Sequence, residues 1–256
     1  MIDIASLEYA QARLQARNAQ RPSQATWGRM QASRGMRALL DAARDSALRP
    51  WVAGLTAQTS VHEIEAALRA HWRSLVVEVS SWMPIEWQAS VRWCAVLADL
   101  PTLRYLFQGG VPLPWMHNDP VYRPICDEPM QVRAAALSVG ALAPLAKAWD
   151  DPVRLLAAWR AEWKRRCPRG LASESALIDE FERALSNHLE QFVAATTAET
   201  WLLRQALEAR LRIFFRRAVL DAAAVFAFLG LSAIDLERLR GELARRAAFP
   251  EPRLAS

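Results

Sequence analysis

The stretch SVHEIEAALRAHWRSLVVEVSSW, residues 60–82, decides the fold class. Val61, Ile64, Leu68, Trp72, Leu75, Val76 and Val79 recur three or four residues apart, the spacing that lines one face of an α-helix. Ser60 followed three residues later by Glu63 reads as a capping box, which satisfies two orphan donors at a helix start. Pro84 then stops the run. Working outward, the same period returns on both sides. Residues 4–20 place Leu7, Ala10 and Leu14 on one side and Arg13 and Arg17 on another, and Arg21-Pro22-Ser23 ends that helix. Ser23 or Thr26 caps a short helix over 27–32, Gly35 marks a joint, and residues 36–45 turn Met36, Leu39 and Leu40 inward. Residues 46–51 read as a turn into a short helix. After Pro84 a further helix carries Trp87, Val91, Cys94, Leu97 and Ala98 on one face.

From Gly109 to Pro129 the texture changes, with two glycines and five prolines in an irregular order. This is the one long loop expected. Helices resume over about 131–149, 153–167, 173–195, 198–229 and 232–247, and strand-like alternation is nowhere sustained. The expectation is an all-α multi-helix bundle. Its Pro-rich loop, 109–130, would join two related helical sub-bundles, 1–108 and 131–256.

Composition narrows the function classes. Arginine supplies 30 of the 32 basic residues, and eleven tryptophans accompany it. A guanidinium is a rigid, permanently charged fork that pairs with carboxylates and stacks on rings, so Arg with Trp favours contact surfaces over turnover. A GC-rich coding sequence accounts for the arginine bias equally well. The net charge is +5, but 27 acids are interleaved with the arginines, so no basic nucleic-acid arm stands out. Cys94, Cys126 and Cys167 are odd in number and far apart, with no C-x-x-C, which suggests neither a disulfide framework nor a zinc site. Residues 1–8 lack a secretory pattern, and residues 218–231 are too short and too polar to span a bilayer. A cytoplasmic protein follows as the expectation.

Residues 87–109, WQASVRWCAVLADLPTLRYLFQG, resemble the recurring element of the V-type and A-type ATPase central-stalk subunit, the C/d family. Asp99, Leu103 and Arg104 match its Asp, Leu and basic positions, whereas Thr102 stands where the family has Asn and Pro101 is an addition. Residues 7–51 are similar to the family's opening through Tyr9, Ala10, Ala12 and Arg13, then Trp27, then Leu39 and Leu40. Residues 207–246 resemble its closing helices through Glu208, Leu211 and Arg212. Family members are typically longer. The resemblance implies an adaptor without chemistry of its own, set between the proteolipid ring and the central shaft of a rotary ATPase and peripheral to the inner membrane through those partners. It implies no cofactor, no metal, no catalytic residue and no nucleic-acid partner. In that family polar groups inside the bundle fix how repeated helical units pack, the role the resemblance implies for this motif.

Other features are candidates for chemistry or contact. Asp41 and Asp45 have the D-x-x-x-D spacing by which magnesium-dependent enzymes hold a prenyl diphosphate, yet Arg37, Arg44 and Arg49 lie beside them, and Asp150-Asp151 and Asp179-Glu180 do not supply the second motif. His117, Asn118, Asp119, Tyr122 and Cys126 form the one acid/base group outside a helix, more readily explained as a loop packed by Trp115 and Tyr122. His62, His71 and His188 are isolated. For partner contact the expected residues are Trp159 and Trp163 with Arg165 and Arg166 at a helix end that also holds Lys164, and Arg212 and Arg216 in the stretch LRIFFRR, residues 211–217, which could face a partner or acidic lipid headgroups. In both places a basic helix end or a snorkelling arginine beside core aromatics is the plainer explanation.

Overall fold

The computed structural model describes residues 4–129, 132–168, 176–194 and 196–249, and every regular element among them is helical. The all-α expectation holds. The chain divides into two compact units, each drawing on separated parts of the sequence.

The first unit comprises residues 1–21, 75–94 and 166–237. It holds α1 (Ile4–Ala19), the end of α5 (Val61–Trp82), α6 (Ile85–Trp93), α12 (Ala176–Ala194), α13 (Thr197–Arg217) and the first part of α14 (Ala223–Ala248). Its core is aromatic. Phe181 meets Phe214 edge-on at 6.4 Å and Phe226 at 6.1 Å, and Phe226 meets Trp87 at 6.1 Å, the offset and edge geometries that ring quadrupoles favour. Gly230 lets α14 approach α13, since a Cβ there would stand 2.9 Å from Leu211 Cδ1.

The second unit comprises residues 22–74, 95–165 and 238–256. It contains α2 (Gln24–Ala32), α3 (Gly35–Arg44), α4 (Arg49–Val52), the first part of α5, α7 (Leu100–Phe107), α8 (Pro114–Asn118), α9 (Arg123–Cys126), α10 (Arg133–Leu137), α11 (Leu155–Arg166) and the end of α14. Ile64, Leu68 and Trp72 of α5 are buried here. The helix α7 ends in a Schellman motif: Gly109 adopts φ 84°, Gly110 N–H donates to the Tyr105 carbonyl at 3.0 Å and Gly109 N–H to that of Leu106.

Several expected boundaries move, each for a local reason. Residues 87–98 are not one helix: α6 tightens into a 3₁₀ segment, Cys94–Asp99, before α7 begins. Pro101 falls in the first turn of α7, where its missing N–H is no loss, so it starts a helix rather than distorting one. Pro at the first positions likewise starts α8 and α9 inside the segment expected to be a loop, and that segment belongs wholly to the second unit. Among the described residues of 131–149, α10 is followed by a turn at Gly140 and a 3₁₀ segment, Ala143–Ala148, that opens on Pro144. The C-terminal break lies at 218–222 instead of near Ser232, because Asp221 Oδ1 accepts the Ala223 N–H at 2.7 Å and so caps α14. Ser232 is inside that helix and its hydroxyl donates to the Phe228 carbonyl. The expected helix start at Ser173 and end at Ala195 fall outside the described residues.

The capping box of α5 is reciprocal: Glu63 N–H donates to Ser60 Oγ at 3.3 Å and Ser60 N–H to Glu63 Oε2 at 2.8 Å. Thr196 and Glu199 repeat it at α13. The hydrogen bonds from Ser60 and Thr196 hold both carboxyls below the ordinary glutamate range. A depressed native pKa means the contribution is present above the unfolded value and lost as pH falls through the native one. The protection factors of the first-turn amides of α5 and α13, referenced to the intrinsic exchange rate at each pH, are therefore expected to fall on acidification through that window, and Glu63→Gln is expected to remove that fall at α5.

Candidate functional site

The densest polar cluster sits in the second unit around Asp99, whose side chain is 3% exposed. Arg69 and Arg73 lie four residues apart on α5, hence on one helix face. Asp99 precedes α7, and Asp119 and Tyr122 come from the segment between α8 and α9. Arg73 spans two carboxylates, reaching Asp99 Oδ1 at 2.9 Å and Asp119 Oδ2 at 2.7 Å. Arg69 approaches the same Asp99 oxygen at 3.4 Å, donates to Thr102 Oγ1 at 2.8 Å and to the Ala98 carbonyl, and pairs with Glu65 at 3.3 Å. The Tyr122 hydroxyl donates to Asp99 Oδ1 at 3.0 Å.

Aromatic rings close the cluster. The guanidinium of Arg69 lies 4.9 Å from the centroid of Trp115, which meets Tyr122 edge-on at 5.3 Å. Arg69 Nε and Trp115 Nε1 are buried with no hydrogen-bond partner among the described residues. Burial raises the Asp99 carboxyl above its ordinary value, with Arg73 and Arg69 drawing it back. Burial also pushes the Tyr122 phenol well up, so it stays protonated and donates. For Arg73 burial works downward, but the two carboxylates outweigh it and hold the guanidinium charged.

A smaller counterpart lies in the first unit. Arg21 Nε donates to Asp235 Oδ2 at 2.7 Å and Arg21 also faces Glu208 at 3.5 Å, while Arg212 binds Glu208 at 2.6 Å. Burial raises the Asp235 carboxyl, against the pull of Arg21. The buried acids Asp99, Asp119, Glu162 and Asp235 each have an arginine partner. A buried carboxylate so paired is a structural element whose removal leaves an uncompensated cation.

Asp99 and Leu103 are buried, and Arg104 faces outward. Trp159 and Trp163 are each 3% exposed and lie with nearly parallel rings 6.5 Å apart, so both rings are buried within the chain. Arg165 forks onto Glu162 with two bonds of 2.7 Å. Arg166 stacks on Trp93 at 4.5 Å. Arg212 and Arg216 are exposed on α13.

The loop group does not converge on one point. His117 Nδ1 contacts Asp127 at 2.8 Å, Asp119 and Tyr122 turn to the arginine cluster, and burial pushes the Cys126 thiol up to about 11, far from a reactive thiolate. Asp41 and Asp45 are both exposed. Asp41 pairs with Arg44 at 3.1 Å at the edge of a cleft of about 270 Å³ that also holds Arg37, Thr56 and Gln58, while Asp45 follows the last residue of α3. Among the described residues no three His, Cys, Asp or Glu side chains are grouped to hold a metal ion.

Asp99 stands out in the sequence through the resemblance, whereas Arg69 and Arg73 do not. Their signal was available: two arginines at i and i+4, flanking Trp72 on the buried side of the most periodic helix, stand where a solvated face should not reach. Comparison with protein-family models, curated proteins and solved structures finds no match for this chain.

Proposed function

We propose that this chain is a non-catalytic helical adaptor, and more narrowly a central-stalk subunit of the C/d type in a V/A-type rotary ATPase, joining the proteolipid ring to the central shaft. The observation that carries the reading is Asp99. The residue that anchors the resemblance is buried and held by Arg69, Arg73 and Tyr122, the packing role the resemblance assigns to a polar group within the bundle. A part that transmits torque must resist shear, and a charged network with several partners ties four stretches of chain at a defined register more rigidly than apolar contacts alone. In this reading the subunit works at the inner face of a membrane, held there by its partners, and turns over no substrate.

The test is affinity purification of the tagged chain from a detergent extract of native membranes. Recovery of a proteolipid ring and shaft subunits in stoichiometric amounts is the expected result. A monomer carrying neither would remove the rotor assignment.

A further inference from the structure

We propose that the outer face of α13, together with the turn that follows it, is a docking surface for an acidic phospholipid bilayer. The inference is independent of the rotor assignment. Leu207, Leu211, Phe214 and Phe215 give α13 its buried face. On the opposite side Leu202, Ala206, Ala209 and Ile213 follow one another three or four residues apart, all exposed, Leu202 at 63% and Ile213 at 48%. This midline is apolar. Exposed arginines flank it, Arg210 and Arg217 on one side and Arg212 and Arg216 on the other, by the 100° step of the helix.

The charge balance on this face points to an anionic occupant. Arg212 is matched by Glu208 and Arg217 by Glu180, whereas Arg210 and Arg216 make no ion pair among the described residues. Of the other acids near this face, Asp221 caps α14 and Glu199 is taken up by the Thr196 capping box at the start of α13. The turn then supplies an apolar tip. Leu220 takes φ 55°, a conformation rare for a bulky side chain, and the turn buries Ala218 and Ala222 while leaving Val219 64% and Leu220 42% exposed. Exposed aliphatic groups beside unmatched guanidinium groups match a bilayer surface, in which the apolar midline and tip enter below the headgroups and the arginines meet the phosphates. No helix among the described residues is long and apolar enough to cross the membrane, so the contact is one of lying on the surface.

Co-sedimentation of the full chain with phosphatidylcholine vesicles, with and without phosphatidylserine, tests this. Binding is expected only with phosphatidylserine and is expected to weaken steeply with salt. Each basic group near an acidic surface contributes roughly fivefold in partitioning, so Arg210→Gln with Arg216→Gln is expected to weaken binding about twenty-five-fold. These side chains are exposed, and unchanged circular dichroism would show the fold intact; Val219→Ser with Leu220→Ser tests the apolar tip separately and is also expected to reduce binding. Equal binding to both vesicle types, no binding to either, or full binding by the double Gln variant overturns the proposal. Binding of soluble poly-glutamate without vesicle binding overturns it in favour of an acidic protein partner. Because the vesicles carry no protein, failure here leaves the rotor assignment standing, and failure to recover a rotor ring leaves this proposal standing.

Discussion

Asp99→Ala is expected to destabilise the protein by about 3–5 kcal/mol, the usual cost of breaking a buried ion pair from one side. The side chains of Asp99 and Arg69 are 3% and 4% exposed, so neither can recover solvation when the other is removed. Arg73 keeps Asp119, but Arg69 is left with Glu65, Thr102 and the Ala98 carbonyl, and the Tyr122 hydroxyl loses its carboxylate acceptor. Asp99→Asn retains an acceptor oxygen and is expected to cost less than the alanine. Urea denaturation at neutral pH measures both, and an Asp99→Ala variant within about 1 kcal/mol of the parent would show that the network does not hold the unit together.

The pH dependence of the same residue runs opposite to that of the capping glutamates. Burial places the native Asp99 carboxyl above its unfolded value. Between the two values the native state binds the proton more readily, so the proton-linked part of this residue's contribution grows as pH falls through that window and is gone above the native pKa, where the ion pairs with Arg69 and Arg73 remain. The Asn variant lacks the proton exchange, and its stability profile is expected to lose that acid-side contribution.

Trp72→Ala is expected to lose about 3–5 kcal/mol, the cost of deleting a large buried ring from a site that cannot collapse around it. Trp72 is 0% exposed and its indole N–H donates to the Ala95 carbonyl at 3.0 Å, at the 3₁₀ segment that leads to Asp99. Trp72→Phe fills much of the volume but cannot donate, and is expected to cost about 1–3 kcal/mol through the stranded carbonyl. Loss of the same amount in both variants would assign the whole effect to the hydrogen bond. Equal stability of the phenylalanine variant and the parent would assign it to volume.

The helical class was legible because α5 carries its apolar residues with a period that only a helix turns to one side, and because Ser60 and Glu63 mark its start chemically. Other boundaries rest on brief signals. Asp221, a single capping residue without Gly or Pro, divides α13 from α14 inside a continuous apolar run, and Pro101, Pro114 and Pro124 start helices where proline suggested interruption. Of the cluster, Asp99 was visible through its resemblance to a known element. Arg69 and Arg73 were not, since an arginine on a helix is ordinarily solvated and its burial depends on which carboxylates the fold brings opposite.

Sequence by itself therefore determined the secondary structure class, the inward faces of α1, α3 and α5 and the lack of sustained strand periodicity, because these follow from local spacing and backbone sterics. The tertiary structure alone decided which charges are buried together and which face outward. Asp99 meets Arg69 and Arg73 across about thirty residues of chain, and Arg21 meets Asp235 across more than two hundred. The energy of such a pair depends on distance and on exclusion of water, and neither quantity exists until the helices have packed.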